Sequence, residues 1–135
     1  MLSVFLACDD LYESARFFTD TLGWELEFAT PPDSGDPLAC VRLGDAQVML
    51  GPADERWLPA GSRNHRGAGV TVYVTLGPGH DIAAIYARHA DGGVTTTALA
   101  ARPWGEQAFD AVIDGYRFLI ATPAAPVNDA QLKDH

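Results

Sequence analysis

A strand, a helix and three further strands can be read along the first part of this sequence, and the same order then returns. Leu2–Cys8 is short and apolar, with Val and Phe, the pattern of a buried strand. Asp10 with Glu13 three residues on makes a helix start. Leu11, Ala15, Phe18 and Leu22 line one face, and Gly23 stands where a helix stops. Trp24–Ala29 alternates as a strand, and Pro31–Pro37 is a loop. Leu38–Leu43 and Ala46–Leu50 then make a hairpin across Gly44-Asp45. After polar Gly51–Gly67 the series repeats. Val70–Leu76 is a strand, and Asp81 caps a helix with Ile82, Ile85, Tyr86 and His89 on one face. Gly92-Gly93 closes that helix, Val94–Ala98 is strand-like, and Gln107–Ile113 with Tyr116–Thr122 form a hairpin across Asp114-Gly115. Ser3–Leu6 lies over Thr71–Val74, and Gln47–Leu50 over Arg117–Ile120.

One such βαβββ unit has a curved sheet face that it cannot cover alone, whereas two units enclose a cleft suited to a small molecule. The expected fold class is therefore α+β, with two βαβββ modules forming a cleft between curved mixed sheets. The expected division is a single domain over 1–135: module 1 at about 1–51, a linker at about 52–67, module 2 at about 68–122 and a frayed tail at 123–135.

Charge and composition narrow the partners. The net charge is −9, and Lys133 is the only lysine. An acidic chain repels phosphate backbones, so no nucleic-acid partner is expected. No apolar run is long enough to span a bilayer, and Met1–Ala7 has neither a basic start nor a cleavage site, so no membrane association is expected and the expected compartment is the cytoplasm. Cys8 and Cys40 sit in apolar contexts and read as buried free thiols. His65, His80, His89 and His135 are not paired at ligand spacing and read as surface residues. Asp110 and Glu106 could serve as acid/base groups, but solvated charge is the expected state of both.

The segments Asp9–Trp24, Val41–Asp45, Ala84–Arg88 with Gly92-Gly93, Pro103–Phe109 and Asp114–Phe118 together resemble the vicinal oxygen chelate superfamily, also called the glyoxalase/bleomycin-resistance/dioxygenase family. Coverage runs from Leu2 to about Thr122. The usual Asp-Pro-Asp-Gly of the last hairpin is replaced by Val112-Ile113-Asp114-Gly115. In metal-using members of the family, His, Gln or Glu ligands from the first and last strands of each module hold a divalent Lewis acid. The resemblance places those positions on Ser3, Met49, Thr71 and Leu119. Hydroxyls are weak ligands for a divalent ion, a thioether suits copper(I), and leucine cannot coordinate. Shifting the alignment by one residue puts Val4, Val48 or Phe118 there instead, or Leu2 and Ile120, which is no better. No metal and no cofactor are therefore expected.

The nearest functional analogues of a metal-free member are the drug-sequestering proteins. Bleomycin-resistance proteins look like acidic homodimers that bind a cationic glycopeptide between subunits, stacking its flat rings on aromatics. One of those aromatics is the Trp of a Pro-Trp-Gly loop, which Trp104 matches. The opposing aromatic is Leu38 here, so Phe28, Trp57 and Tyr73 are candidates for a second stacking surface. The expected ligand-binding set is Trp104, Leu38, Phe28, Trp57, Tyr73, Ser3, Met49, Thr71, Leu119 and Glu106, with no catalytic residue. The leading expectation is a metal-free small-molecule-binding protein that sequesters an antibiotic or another planar or cationic ligand. A metal-dependent lyase or dioxygenase with displaced ligands stays open, as does a non-catalytic interaction module.

Overall fold

The computed structural model describes residues 2–55 and 58–123. Trp57 lies outside the described residues, as do Lys133 and His135. Strand β1 is Ser3–Cys8 and helix α1 is Leu11–Arg16. Asp10 caps α1 by accepting the Glu13 N–H at 3.1 Å. The helix widens into a π-helical turn over Phe17–Thr21, where the Leu22 N–H donates back to the Phe17 carbonyl at 3.1 Å. Strands β2 (Glu25–Ala29), β3 (Ala39–Leu43) and β4 (Ala46–Pro52) complete the first module. A 3₁₀ segment, Ala60–His65, lies in the polar stretch that follows. Strand β5 is Thr71–Thr75 and helix α2 is Ile82–Asp91, capped by Asp81, which accepts from the Ala83 and Ala84 N–H groups at 3.0 and 3.3 Å. Strands β6 (Ala100–Ala101), β7 (Gln107–Ile113) and β8 (Tyr116–Ala121) follow.

The strands form two four-stranded sheets in the orders β1-β4-β3-β2 and β5-β8-β7-β6. In each sheet the first strand pairs in parallel with the last, and the remaining pairs are antiparallel. The registers match as the repeat predicts: Ser3 pairs with Gln47, and Thr71 with Arg117. These are two βαβββ modules in an α+β fold.

Period-two alternation sorts each sheet into two faces. Val48, Leu50 and Val41 point one way in the first sheet, and Val74, Phe118, Ile120 and Phe109 do so in the second; all are fully buried. They share one core with the helices. At its centre Phe18, Trp24 and Phe118 pack edge to face, with centroids 4.9, 6.0 and 5.7 Å apart. The modules also grip one another end to end. The Tyr116 hydroxyl donates to the Ala7 carbonyl at 2.7 Å, and the Asp45 N–H donates to the Thr75 carbonyl at 3.3 Å.

Two expectations need correction. Val94–Ala98 is not a strand. Thr95 makes one isolated bridge to Ala111, and the strand is the two-residue β6. The Thr97 hydroxyl accepts the Asp110 N–H at 2.9 Å and so takes the place of a backbone ladder partner. His89 is not on the surface. It is fully buried against Phe109, where its Nδ1–H donates to the Ile85 carbonyl at 2.7 Å and its Nε2 accepts the Trp24 indole N–H at 3.1 Å. Both thiols are free and buried, as expected, and burial pushes the Cys8 thiol far above its ordinary range.

The buried imidazole makes stability depend on pH. Burial foremost, and then the Arg88 charge, hold its pKa below the ordinary 6.5, against the pull of the Ile85 carbonyl. Below that value the unfolded chain binds a proton that the folded chain refuses, so stability falls as pH drops through 6.5 and is unaffected above it. Melting temperature followed downward from neutral pH should fall in wild type, and His89→Gln should show a shallower fall.

Candidate functional site

The opposite faces of both sheets carry the side chains that could meet a ligand. On the first sheet these are Ser3 and Phe5 of β1, Gln47 and Met49 of β4, and Cys40 of β3. On the second they are Thr71 and Tyr73 of β5, Leu119 of β8, and Asp110 of β7. Large apolar groups remain open to solvent here: Phe5 and Tyr73 are half exposed, and Phe28 is only slightly less so.

The second sheet presents the more organised group. A tight turn, in which the Arg102 N–H donates to the Glu106 carbonyl at 2.7 Å and the Gly105 N–H to the Arg102 carbonyl at 2.9 Å, pushes Trp104 outward. Gly105 holds φ +99° there, a conformation that favours glycine. Trp104 is 52% exposed, yet its indole N–H is tied to the Glu106 Oε1 atom. The Tyr73 hydroxyl donates to the same oxygen. Glu106 is not the solvated charge expected from sequence: it is 5% exposed. The burden of burial raises the Tyr73 pKa, and the adjacent carboxylate raises it further, so the phenol keeps its proton. Beside it, Asp110 accepts from Arg102 at 2.9 Å and from the Thr97 hydroxyl at 3.0 Å. Burial works to raise the Asp110 pKa, but these hydrogen bonds and the guanidinium charge outweigh it and hold the carboxyl below its usual value.

The first sheet contributes concavity. A cleft of about 780 Å³, within the drug-sized range, is lined by Phe5, Pro37, Leu38, Leu58, Arg66 and Tyr116 among others. The Phe5 ring lies across Gly51, where an added Cβ would sit only 2.0 Å from Cζ; the glycine makes the room. Arg66 reaches Asp9 at 3.3 Å and Asp114 at 3.5 Å, and its guanidinium lies 5.9 Å from the Tyr116 ring centre. A second groove of about 720 Å³ runs between the modules and is lined by Val4, Gln47, Thr71 and Tyr73 among others.

The expected binding residues thus divide between two faces. Leu38 lines the 780 Å³ cleft, and Phe28, Ser3 and Met49 belong to the same sheet or its border. Trp104, Tyr73, Glu106, Thr71 and Leu119 belong to the other sheet. Trp104 is not among the residues lining either cleft. Phe5, Gln47, Arg66 and Tyr116 were not expected. Phe5 could have been found, because alternation places it on the Ser3 face.

The donor set does not fit a divalent metal. Ser3 and Met49 share one open face, and Thr71 and Leu119 share the other. Their groups are two hydroxyls, a thioether and an alkyl chain, and the Ser3 hydroxyl already donates to the Gln47 side-chain oxygen. Val48 and Phe118, the one-residue alternatives, point into the core. Among the described residues no group of three or more His, Cys, Asp or Glu side chains could hold a metal ion. Nor, among them, is any helix long and apolar enough to cross a membrane.

Solved structures share this architecture. A member of the glyoxalase/bleomycin resistance protein/dioxygenase superfamily from Sphaerobacter thermophilus DSM 20745 aligns with a TM-score of 0.65 at 24% identity, over 90% of this chain and 94% of that one. TioX from Micromonospora sp. ML1 aligns with a TM-score of 0.69 at 18% identity, over 95% and 99%. TnmS3, an antibiotic binding protein from Streptomyces sp. CB03234, aligns with a TM-score of 0.63 at 19% identity, over 90% and 93%. At these identities the likeness concerns the fold. No curated protein matches the chain. The family model described as Glyoxalase/Bleomycin resistance protein/Dioxygenase superfamily matches residues 1–122, and the chain belongs to that superfamily.

Proposed function

We propose that this protein binds and sequesters a small flat-ringed molecule, of the antibiotic kind, without using a metal. The observation that carries the reading is Trp104: a half-exposed residue whose indole N–H is tied to the buried Glu106 side chain. An aromatic group pre-set in this way loses little conformational freedom when a ligand ring stacks on it. The four positions that hold metal in metal-using relatives carry no competent donor set, which supports binding rather than Lewis-acid chemistry. TnmS3, which shares the fold, is an antibiotic binding protein.

The site is completed by a second copy of the chain. Within one chain the 780 Å³ cleft with Phe5 and Leu38 and the Trp104–Tyr73 surface lie on different sheets. Each open face leaves large apolar side chains half exposed, which a monomer rarely tolerates without a partner or ligand. A homodimer that sets the first sheet of one copy against the second sheet of the other would cover both.

A thermal-shift screen with planar antibiotics, intercalating dyes and small carbonyl compounds tests the reading, with sedimentation velocity run alongside. Planar compounds should raise the melting temperature by several degrees at concentrations well above Kd, and the protein should sediment as a dimer. A shift confined to carbonyl compounds would contradict the reading.

A further inference from the structure

We propose that Gly51 and Phe5 together set the size of the group admitted to the cleft on the first sheet, and that this cleft takes an uncharged, apolar part of the ligand. The inference rests on the binding reading above and adds the determinant of size, with Gly51 as a positioning residue acting through the Phe5 ring.

Gly51 is buried within strand β4, and its φ is not positive. No turn asks for a glycine there, and glycine inside a strand weakens it. What it permits is a close approach. Gly51 pairs with Ala7, and Met49 with Phe5, so all four side-chain positions share the open face. A Cβ added at Gly51 would sit 2.7 and 2.9 Å from the two Cε atoms of Phe5, and closer still to Cζ. The second module has the alternative arrangement. Its register puts Tyr73 in the place of Phe5 and Ala121 in the place of Gly51. There the aromatic side chain is held by its hydroxyl, which donates to Glu106, and a Cβ is accommodated. Phe5 has no hydroxyl to hold it, and it rests on the glycine instead.

The atoms that an added Cβ would meet are the far end of a side chain that is 50% exposed, so the ring would yield and the backbone would not. Phe5 lines the cleft of about 780 Å³, and a displaced ring takes up that space. The chemistry of the lining names the class of guest. Ala7, Pro37, Leu38 and Pro52 add apolar surface beside Phe5. Arg66, the cation among the described lining residues, is already set between Asp9 at 3.3 Å and Asp114 at 3.5 Å. Asp36 is exposed and Asp54 partly exposed, so water screens both. An ion entering here would lose water without gaining a free partner, whereas an uncharged ring buries apolar surface at no such cost.

Fluorescence titration with two uncharged probes tests the proposal: N-phenyl-1-naphthylamine and the smaller 1-naphthol. Wild type should bind both. Gly51→Ala should weaken N-phenyl-1-naphthylamine about tenfold and leave 1-naphthol within about threefold. Adding Phe5→Leu to Gly51→Ala shortens the side chain that the methyl group displaces. It should bring N-phenyl-1-naphthylamine back to within about threefold of wild type, a rescue that general damage to the sheet would not show. Unchanged affinity in Gly51→Ala would overturn the inference, and so would equal weakening of both probes without rescue. If Gly51→Ala fails to fold, Phe5→Trp decides. At this half-exposed position it crowds the same space and should weaken the larger probe about tenfold but not the smaller; no difference between the probes would overturn the inference. If neither uncharged probe binds wild type while charged planar compounds do, this inference fails and the binding reading stands. If no planar compound of either kind binds, the binding reading fails and this inference with it.

Discussion

Replacing Phe118 with Ala should destabilise the protein by about 3 to 5 kcal/mol, read as a lower midpoint in denaturant unfolding with an unchanged slope. Phe118 is fully buried, and it is the residue of β8 that meets Phe18 and Trp24 of the first module. Removing its ring leaves a cavity at the centre of the shared core, and the edge-to-face contacts on both sides are lost. Domains of this size have a stability of about 5 to 15 kcal/mol, so the variant should be marginal. A loss below about 1 kcal/mol would mean that the core closes over the gap and that the modules hold together by other contacts.

Replacing Trp104 with Ala should weaken binding of a planar ligand by about 2 kcal/mol, close to thirtyfold in Kd, while changing folding stability by no more than about 1 kcal/mol. The asymmetry follows from its position. Trp104 is half exposed, so the folded chain alone gains little from it, whereas a stacked ligand would cover part of the exposed surface. The indole N–H bond to Glu106 is lost, but Tyr73 still donates to the same oxygen. Trp104→Phe should restore most of the affinity if stacking is the interaction. Unchanged affinity in Trp104→Ala would make the indole a loop anchor with no part in binding.

Much of the frame was legible in the sequence because it is set by local chemistry. The two hairpins follow from turn residues: Asp114 and Gly115 adopt φ +52° and φ +85°, and Gly44 adopts φ +57°, the left-handed conformations that such turns demand. Asp10 and Asp81 both cap their helices, as their spacing implies. Strand facing was legible for a related reason: period-two alternation sends Val48 and Phe118 inward and leaves Ser3 and Met49 on the opposite face.

What was not legible depends on partners distant in the chain. Glu106 is buried because Tyr73, 33 residues earlier, donates to it. His89 lies on the apolar face of α2, and its spacing says so. Its burial as a neutral ring, however, needs the Trp24 indole, 65 residues away, as donor. The failure of Val94–Ala98 as a strand has the same origin. Its residues have strand propensity, but the Thr97 side chain reaches Asp110 across the sheet and interrupts the ladder. The Arg66 cluster, which joins Asp9 to Asp114, likewise has no local signature.

Binding without a metal is the central claim, and chelation tests it most directly. Protein treated with a strong chelator and dialysed should contain no stoichiometric divalent metal and should bind the best planar compound from the screen with unchanged Kd. Loss of binding after chelation, restored by adding back a divalent ion, would contradict the account.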